Sequence, residues 1–127
     1  MTKLLVVEDD PNQRRLYEQE LGDDGYEVRS AAGGKEALAQ ISQDRPDLVI
    51  MDISMPGMDG IEALGKVLGV DNTIPVILNT AYANYKDNFL SWAADAYVVK
   101  SSDMDELKKT IKEVLARRRE DSAGAGR

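Results

Sequence analysis

Asp52 closes an apolar run, Leu48 to Met51, and leads through Ile53, Ser54 and Met55 into a Pro-Gly-Met-Asp-Gly turn at residues 56–60. Glu8 and Asp9 close a second apolar run, Leu4 to Val7, in the same way. Thr80 follows the run Pro75 to Leu78, and Lys100 follows Ala96 to Val99. Side chains at the C-terminal tips of parallel strands stand where open α/β sheets bind their ligands. Three carboxylates brought to one sheet edge repel each other unless a cation joins them. Hard oxygen ligands of this kind suit Mg²⁺, which usually keeps several of its waters. The backbone carbonyl of Ser54 offers a further oxygen. Asp10 reads differently, as the N-cap of a first helix.

Asp52 is the candidate nucleophile. Carboxylates attack phosphoryl groups and form aspartyl phosphates. Such transfer depends on positioning and charge neutralisation more than on covalent machinery. Lys100 can supply a positive clamp, and the Thr80 hydroxyl can donate to a phosphoryl oxygen. Taken singly, the lysine reads as a solvated strand end and the threonine as a helix cap. Their joint placement beside the acids is what gives both a chemical role.

The elements that must hold these residues are legible in the hydropathy pattern. The four apolar runs are nearly continuous, as expected for parallel strands covered on both faces. A further run, Tyr26 to Ala31, alternates apolar and polar residues and reads as an edge strand. Helical spacing fills the gaps. Asp10, Pro11 and Gln13 form a capping-box pattern, with Leu16, Tyr17 and Leu21 expected to face the sheet and Gly22 near the end. Ala37, Leu38 and Ile41 mark a second helix, and Ile61, Leu64 and Leu68 a third. Tyr82, Tyr85, Phe89, Trp92 and Ala93 mark a fourth. Met104, Leu107, Ile111, Val114 and Leu115 mark the last, with Ser102 as its N-cap. Strand and helix alternate five times. With right-handed crossovers and the second strand at an edge, the sheet order is 2-1-3-4-5. Strands 1 and 3 then flank the switch point, where Glu8, Asp9 and Asp52 stand. The fold class is α/β: a flavodoxin-like, doubly wound, five-stranded parallel sheet with five helices.

Composition narrows the function classes. The chain has 127 residues, 43% of them hydrophobic, which favours one domain with a sizeable core. A net charge of −7 argues against nonspecific binding to nucleic acid or anionic membrane. There is no cysteine, hence no disulfide or thiolate chemistry, which fits a cytoplasmic setting. There is no histidine, so histidine-based acid–base chemistry is excluded. Neither a signal peptide nor an apolar run of membrane-spanning length is expected. No Gly-x-Gly-x-x-Gly or P-loop follows the first strand, which sets aside a nucleotide-binding Rossmann domain.

Together these motifs resemble the receiver domain of two-component response regulators. Val6-Val7-Glu8-Asp9-Asp10 looks like the family's acidic pocket, and Asp52 to Gly60 resembles its phosphoacceptor strand and turn. Asn79-Thr80-Ala81 and Tyr97-Val98-Val99-Lys100 match its switch and lysine motifs. The likeness covers about residues 3–118, with the motifs in order. It divides the chain into a receiver domain, residues 1–119, and a flexible C-terminal tail or start of a linker, residues 120–127. The resemblance implies that Asp52 takes a phosphoryl group from the phosphohistidine of a sensor histidine kinase or phosphotransfer protein. Asp9 and Asp52 would hold Mg²⁺ directly, Glu8 through water, and Ser54 through its carbonyl. Lys100 would pair with the phosphoryl oxygens. Thr80 would move toward the new group and Tyr97 would swing inward, reshaping the face of the fourth helix, fifth strand and fifth helix. The chain would be a regulatory switch rather than an enzyme with a turnover substrate. Its output would be a downstream protein target or a missing effector domain, with a phosphorylation-dependent homodimer left open. Direct nucleic-acid binding by this chain and membrane association are not expected.

Two departures stand out. Ser101 follows the lysine where many receivers have proline, which bears on how Lys100 sits. Tyr82, two residues after Thr80, is bulky enough to restrict water at the site. Two alternatives compete with the switch. A haloacid-dehalogenase-type phosphatase would need a second acid where Ser54 stands and room for a cap domain. An interaction scaffold that never takes phosphate would not need Glu8, Asp9, Asp52, Thr80 and Lys100 together. Tyr85, Phe89 and Trp92 read mainly as packing under the fourth helix, and Arg117 to Arg119 as a solvated helix end.

Overall fold

The computed structural model describes residues 1–52, 65–67, 69, 73–80, 94–100 and 104–125, with side chains as far as Arg117. Five strands form one sheet: β1 (Lys3–Val7), β2 (Glu27–Ala31), β3 (Leu48–Met51), β4 (Val76–Thr80) and β5 (Ala96–Val99). Their order is β2-β1-β3-β4-β5, and every neighbouring pair is parallel. The flavodoxin-like sheet expected from the sequence is therefore present, and β2 is an edge strand. β4 runs two residues past the apolar run, so Asn79 and Thr80 are inside the strand.

Helices α1 (Pro11–Asp23) and α2 (Gly34–Gln43) follow β1 and β2. Residues 65–67 and 69 are helical (α3), and α4 (Asp105–Ala125) follows β5. α4 continues past residue 119, through six of the eight residues expected to form a tail. The expected fourth helix, with Tyr82, Tyr85, Phe89, Trp92 and Ala93, lies outside the described residues. So do Ile61, Leu64, Leu68, Ser101, Ser102 and the turn at 56–60.

Strand alternation divides the core into two layers. On one face Leu5, Val7, Val49, Met51, Val76 and Leu78 pack with Ala37 and Ile41 of α2 and Val67 of α3. On the other, Leu4, Val6, Leu48, Ile50, Ile77 and Val98 pack with Tyr17 and Leu21 of α1 and Leu107, Ile111 and Val114 of α4. Burying each large aliphatic side chain contributes roughly 1.5–3 kcal/mol against its exposed state. Both faces of the central strands are covered, which is why those strands read as unbroken apolar runs.

α1 departs from the expected pattern in two ways. Leu16 is 47% exposed, while Tyr17 and Leu21 are buried. Residues four apart nearly eclipse on a helix, whereas Leu16 lies about 100° from Tyr17 and about 140° from Leu21. Gln13 does not close a capping box. Asp10 caps by accepting from Asn12 N at 2.9 Å, and Gln13 Oε1 accepts from the Tyr17 hydroxyl at 3.3 Å. Gly22 stands near the end of the helix as expected, and the chain turns at Gly25, whose φ is +97°. That left-handed conformation is open to glycine at little steric cost.

Candidate phosphoacceptor site

Each strand tip delivers one piece of the site. Glu8 directly follows β1, and its N–H donates to Ala31 O at 3.0 Å. Asp52 directly follows β3, and its N–H donates to Val7 O at 3.1 Å. Lys100 directly follows β5, and its N–H donates to Thr80 O at 2.6 Å. These backbone bonds extend the ladder past the strand ends and fix where the three side chains begin.

The acids do converge. Carboxylate oxygens of Glu8, Asp9 and Asp52 lie within 4.8 Å of one another. Glu8 is 2% exposed, Asp52 is buried and Asp9 is exposed, so the group is open on one side. The Lys100 ammonium donates to Glu8 Oε1 at 2.6 Å and to Asp52 Oδ2 at 2.9 Å. Arg14, one turn into α1, donates from Nη1 to the backbone oxygens of Glu8, at 2.8 Å, and of Asp9, at 3.3 Å. It thereby ties the acidic loop to the helix that follows it.

Charge in this cluster is only partly balanced. Burial pushes the Glu8 carboxyl up to about 7; Lys100 opposes that rise and Asp52 adds to it. Burial works to lower the Lys100 pKa, but its hydrogen bonds to Glu8 and Asp52 outweigh that and hold it above the ordinary lysine value. Glu8 Oε2 is fully buried and has no hydrogen-bond partner among the described residues. An orphaned carboxylate oxygen is costly in a buried setting. The donor set is entirely oxygen, and it fits a hard divalent cation better than a soft metal.

Thr80 and Tyr97 belong to the other face of the sheet. Alternation along β4 places Thr80 on the face of Val76 and Leu78, and Thr80 is completely buried. Tyr97 is half-buried against the same layer and pairs in register with Leu78. The two residues expected to move thus share the α2 side of the sheet. Glu8, Asp52 and Lys100 alternate to the side of α1 and α4. Ser54 lies outside the described residues.

Two neighbours of the site are not evident from the sequence pattern. Arg14 gives only the weak signal of an arginine one turn after the acids. Asn79 gives a stronger one, since a carboxamide interrupts an otherwise apolar strand just before Thr80. Its partner is Tyr17, 62 residues away, and no local pattern announces that contact.

Comparison with known proteins places the chain in a family. The response regulator receiver domain family model matches residues 4–112. Sporulation initiation phosphotransferase F of Bacillus subtilis is 36% identical over 115 residues, covering 89% of this chain and 93% of its own length. Regulatory protein AtoC of Escherichia coli is 38% identical over 117 residues, covering 91% of this chain and 25% of its own. The chain spans only a quarter to about half of the length of several of the curated relatives it matches. Among solved structures, response regulator protein TrrA of Thermotoga maritima, in complex with Mg²⁺-BeF, is 46% identical with a TM-score of 0.87, covering 90% of this chain and 99% of that one. TrrA in complex with histidine kinase ThkA gives a TM-score of 0.85 at 46% identity, covering 91% and 99%. With a parallel 2-1-3-4-5 sheet, acids at the tips of β1 and β3 and a lysine reaching them from β5, this chain belongs to the response regulator receiver domain family.

Proposed function

We propose that the protein is a phosphoacceptor switch in which Asp52 takes a phosphoryl group from a phosphohistidine. The observation that carries this reading is the convergence of Glu8, Asp9 and Asp52, with the Lys100 ammonium spanning two of them. An Asp52 carboxylate oxygen bonds to phosphorus, the phosphorus–nitrogen bond breaks, and the donor imidazole leaves with its electron pair. Asp9 and Asp52 would hold Mg²⁺ directly, with Glu8 acting through water and the Ser54 carbonyl adding a further oxygen. The chemistry such a cation would supply there is neutralisation of charge on the transferring oxygens. Lys100 exchanges a carboxylate oxygen for a phosphoryl oxygen and stabilises the same charge from the other side. Arg14 keeps Glu8 and Asp9 in place by holding their carbonyls.

Phosphorylation adds roughly −1.5 to −2 charge and strong acceptors. The Thr80 hydroxyl turns toward that group, and Tyr97 moves into the space this opens. Ligation of the phosphoryl group in only one of two arrangements is what shifts the equilibrium between them. The face built from the fourth expected helix, β5 and α4 then presents a different surface to a downstream protein, an effector domain or a second copy. The chain takes part in its own phosphorylation and dephosphorylation and turns over no other substrate. A cytoplasmic histidine kinase or phosphotransfer protein is the donor. TrrA binding to a histidine kinase supports that choice of partner.

The test is intact mass after incubation with Mg²⁺ and phosphoramidate. Gain of one phosphoryl group that requires both Mg²⁺ and Asp52, with Asp52→Asn as the control, is the expected result. No gain by folded protein overturns the reading in favour of an unphosphorylated scaffold.

A further inference from the structure

The row of side chains that carries the acids continues onto β4 with a residue the phosphoryl chemistry leaves unused. Val7 pairs with Met51, and Met51 pairs with Leu78. One residue further along each strand stand Glu8, Asp52 and Asn79. Alternation turns all three to the face covered by α1 and α4. Asn79 is 4% exposed, and a buried carboxamide is costly unless it is hydrogen-bonded. Asn79 Nδ2 donates to the Tyr17 hydroxyl at 3.1 Å, and that hydroxyl donates to Gln13 Oε1 at 3.3 Å. Tyr17 is itself 7% exposed. A polar relay therefore runs from the tip of β4 into α1, past the apolar side chains of Val6 and Ile50.

Its location gives the relay a role. Lys100 leaves β5, yet its ammonium ends on the acids of β1 and β3. β4 lies between β5 and β3, so the lysine side chain must cross the tip of β4. Tyr17 and Asn79 line the same small cleft as Glu8, Asp52 and Lys100. They also line, again with Lys100, the cleft on the α4 side, beside Val98, Met104 and Leu107. The pair thus borders the path of the Lys100 stem on both sides of the strand it crosses. The Tyr17 phenol senses the site: burial raises its pKa, and the Lys100 charge works against that rise.

We propose that Tyr17 and Asn79 are positioning residues whose hydrogen bond forms a polar floor holding the Lys100 ammonium against Glu8 and Asp52. The consequence for phosphoryl transfer rests on the phosphoacceptor reading above; the placement of Lys100 does not. Two oriented dipoles in a poorly solvated layer favour one position of a nearby cation. An apolar pair of the same shape would pack as well without that preference.

The experiment compares wild type, Tyr17→Phe, Asn79→Leu and the double variant. Lysine-ammonium ¹⁵N NMR, with Lys100→Arg to assign the signal, reads hydrogen exchange at Lys100. Intact mass over time with phosphoramidate and Mg²⁺ reads the transfer rate. In the single variants Lys100 exchange is expected to rise, and the transfer rate to fall, by roughly tenfold, the scale of one hydrogen bond. The double variant separates positioning from packing. It leaves neither buried polar group stranded, so its unfolding midpoint recovers while Lys100 exchange stays fast and transfer stays slow. Wild-type exchange and rate in the double variant overturn the proposal. Tyr17→Phe removes one oxygen and keeps the ring, so it decides the matter alone if the Asn79 variants do not fold: faster exchange at Lys100 supports the proposal, and unchanged exchange overturns it. Should wild type take no phosphoryl group, the phosphoacceptor reading fails, and the NMR arm still decides the role of the pair.

Discussion

The Lys100 ammonium reaches past β4 to lie 2.9 Å from the Asp52 carboxylate at the tip of β3. The cation and the candidate nucleophile are thus held together before any phosphoryl group arrives. In that arrangement Lys100 is placed to serve stability as well as the proposed phosphoryl transfer.

Lys100→Met tests this double role. It leaves Glu8 and Asp52 without their shared cation. Breaking a buried pair by removing one partner costs roughly 3–5 kcal/mol, and proton uptake by Glu8 trims that figure. Urea unfolding at pH 7.5 is expected to show a loss of about 2–4 kcal/mol that narrows when Mg²⁺ is added. An unchanged midpoint would show that the ion pairs carry no net stability.

The pH dependence of stability isolates Glu8. The chain has no histidine, so no other ordinary side chain titrates near neutrality. The folded-state value of about 7 lies above the ordinary glutamate value of 4.5. Between those values the native state binds more protons than the unfolded state, so stability falls as pH rises through this window. The loss is on the order of 3 kcal/mol once Glu8 is fully ionised. Thermal unfolding of metal-free protein from pH 5 to 8 should show this slope, and Glu8→Gln should flatten it.

Mg²⁺ should raise the unfolding midpoint, since the acids are assembled only in the folded chain. At a hundred times the dissociation constant the gain is about 2.7 kcal/mol. Asp9 is exposed, so Asp9→Asn should keep the metal-free midpoint and lose most of the Mg²⁺ response. A full response in that variant would exclude Asp9 as a ligand.

Arg14→Met should loosen the acidic loop. The loss of its two carbonyl contacts is expected to cost about 1 kcal/mol and to weaken Mg²⁺ binding several-fold. Calorimetric titration checks this. Mg²⁺ affinity equal to wild type would place Arg14 outside the site's support.

Gly25→Ala separates fold from site. Among the described residues nothing lies within 4 Å of a Cβ built there, so the backbone is what opposes the change. A left-handed conformation costs an L-residue about 1–2 kcal/mol. The midpoint should drop by that amount while phosphoryl uptake from phosphoramidate is unaltered.

The acids are legible in sequence because each ends an apolar run, and a strand buried on both faces cannot hide where it stops. Lys100 is legible for the same reason. Leu16 is not, because apolar character does not resolve the 100° between adjacent helix positions; the packing of Tyr17 and Leu21 decides which neighbour turns outward. Glu8's unpartnered oxygen and its raised pKa depend on how deeply the β1 tip is covered, which no local pattern encodes. Tyr17 and Asn79 are each visible, one as an expected core residue and the other as a polar break in a strand. Their contact depends on how α1 docks across the sheet, a property of the folded chain alone.

β4 carries Asn79 toward one layer and Thr80 toward the other, so adjacent residues of one strand serve opposite sides of the sheet. Side chains alternate strictly along a strand. Loss or gain of a single residue between Pro75 and Thr80 would exchange the two, burying the threonine over α1 and the carboxamide over α2. The length of this segment is therefore bound by parity: it can change in steps of two and keep its wiring, but an odd step would cross it.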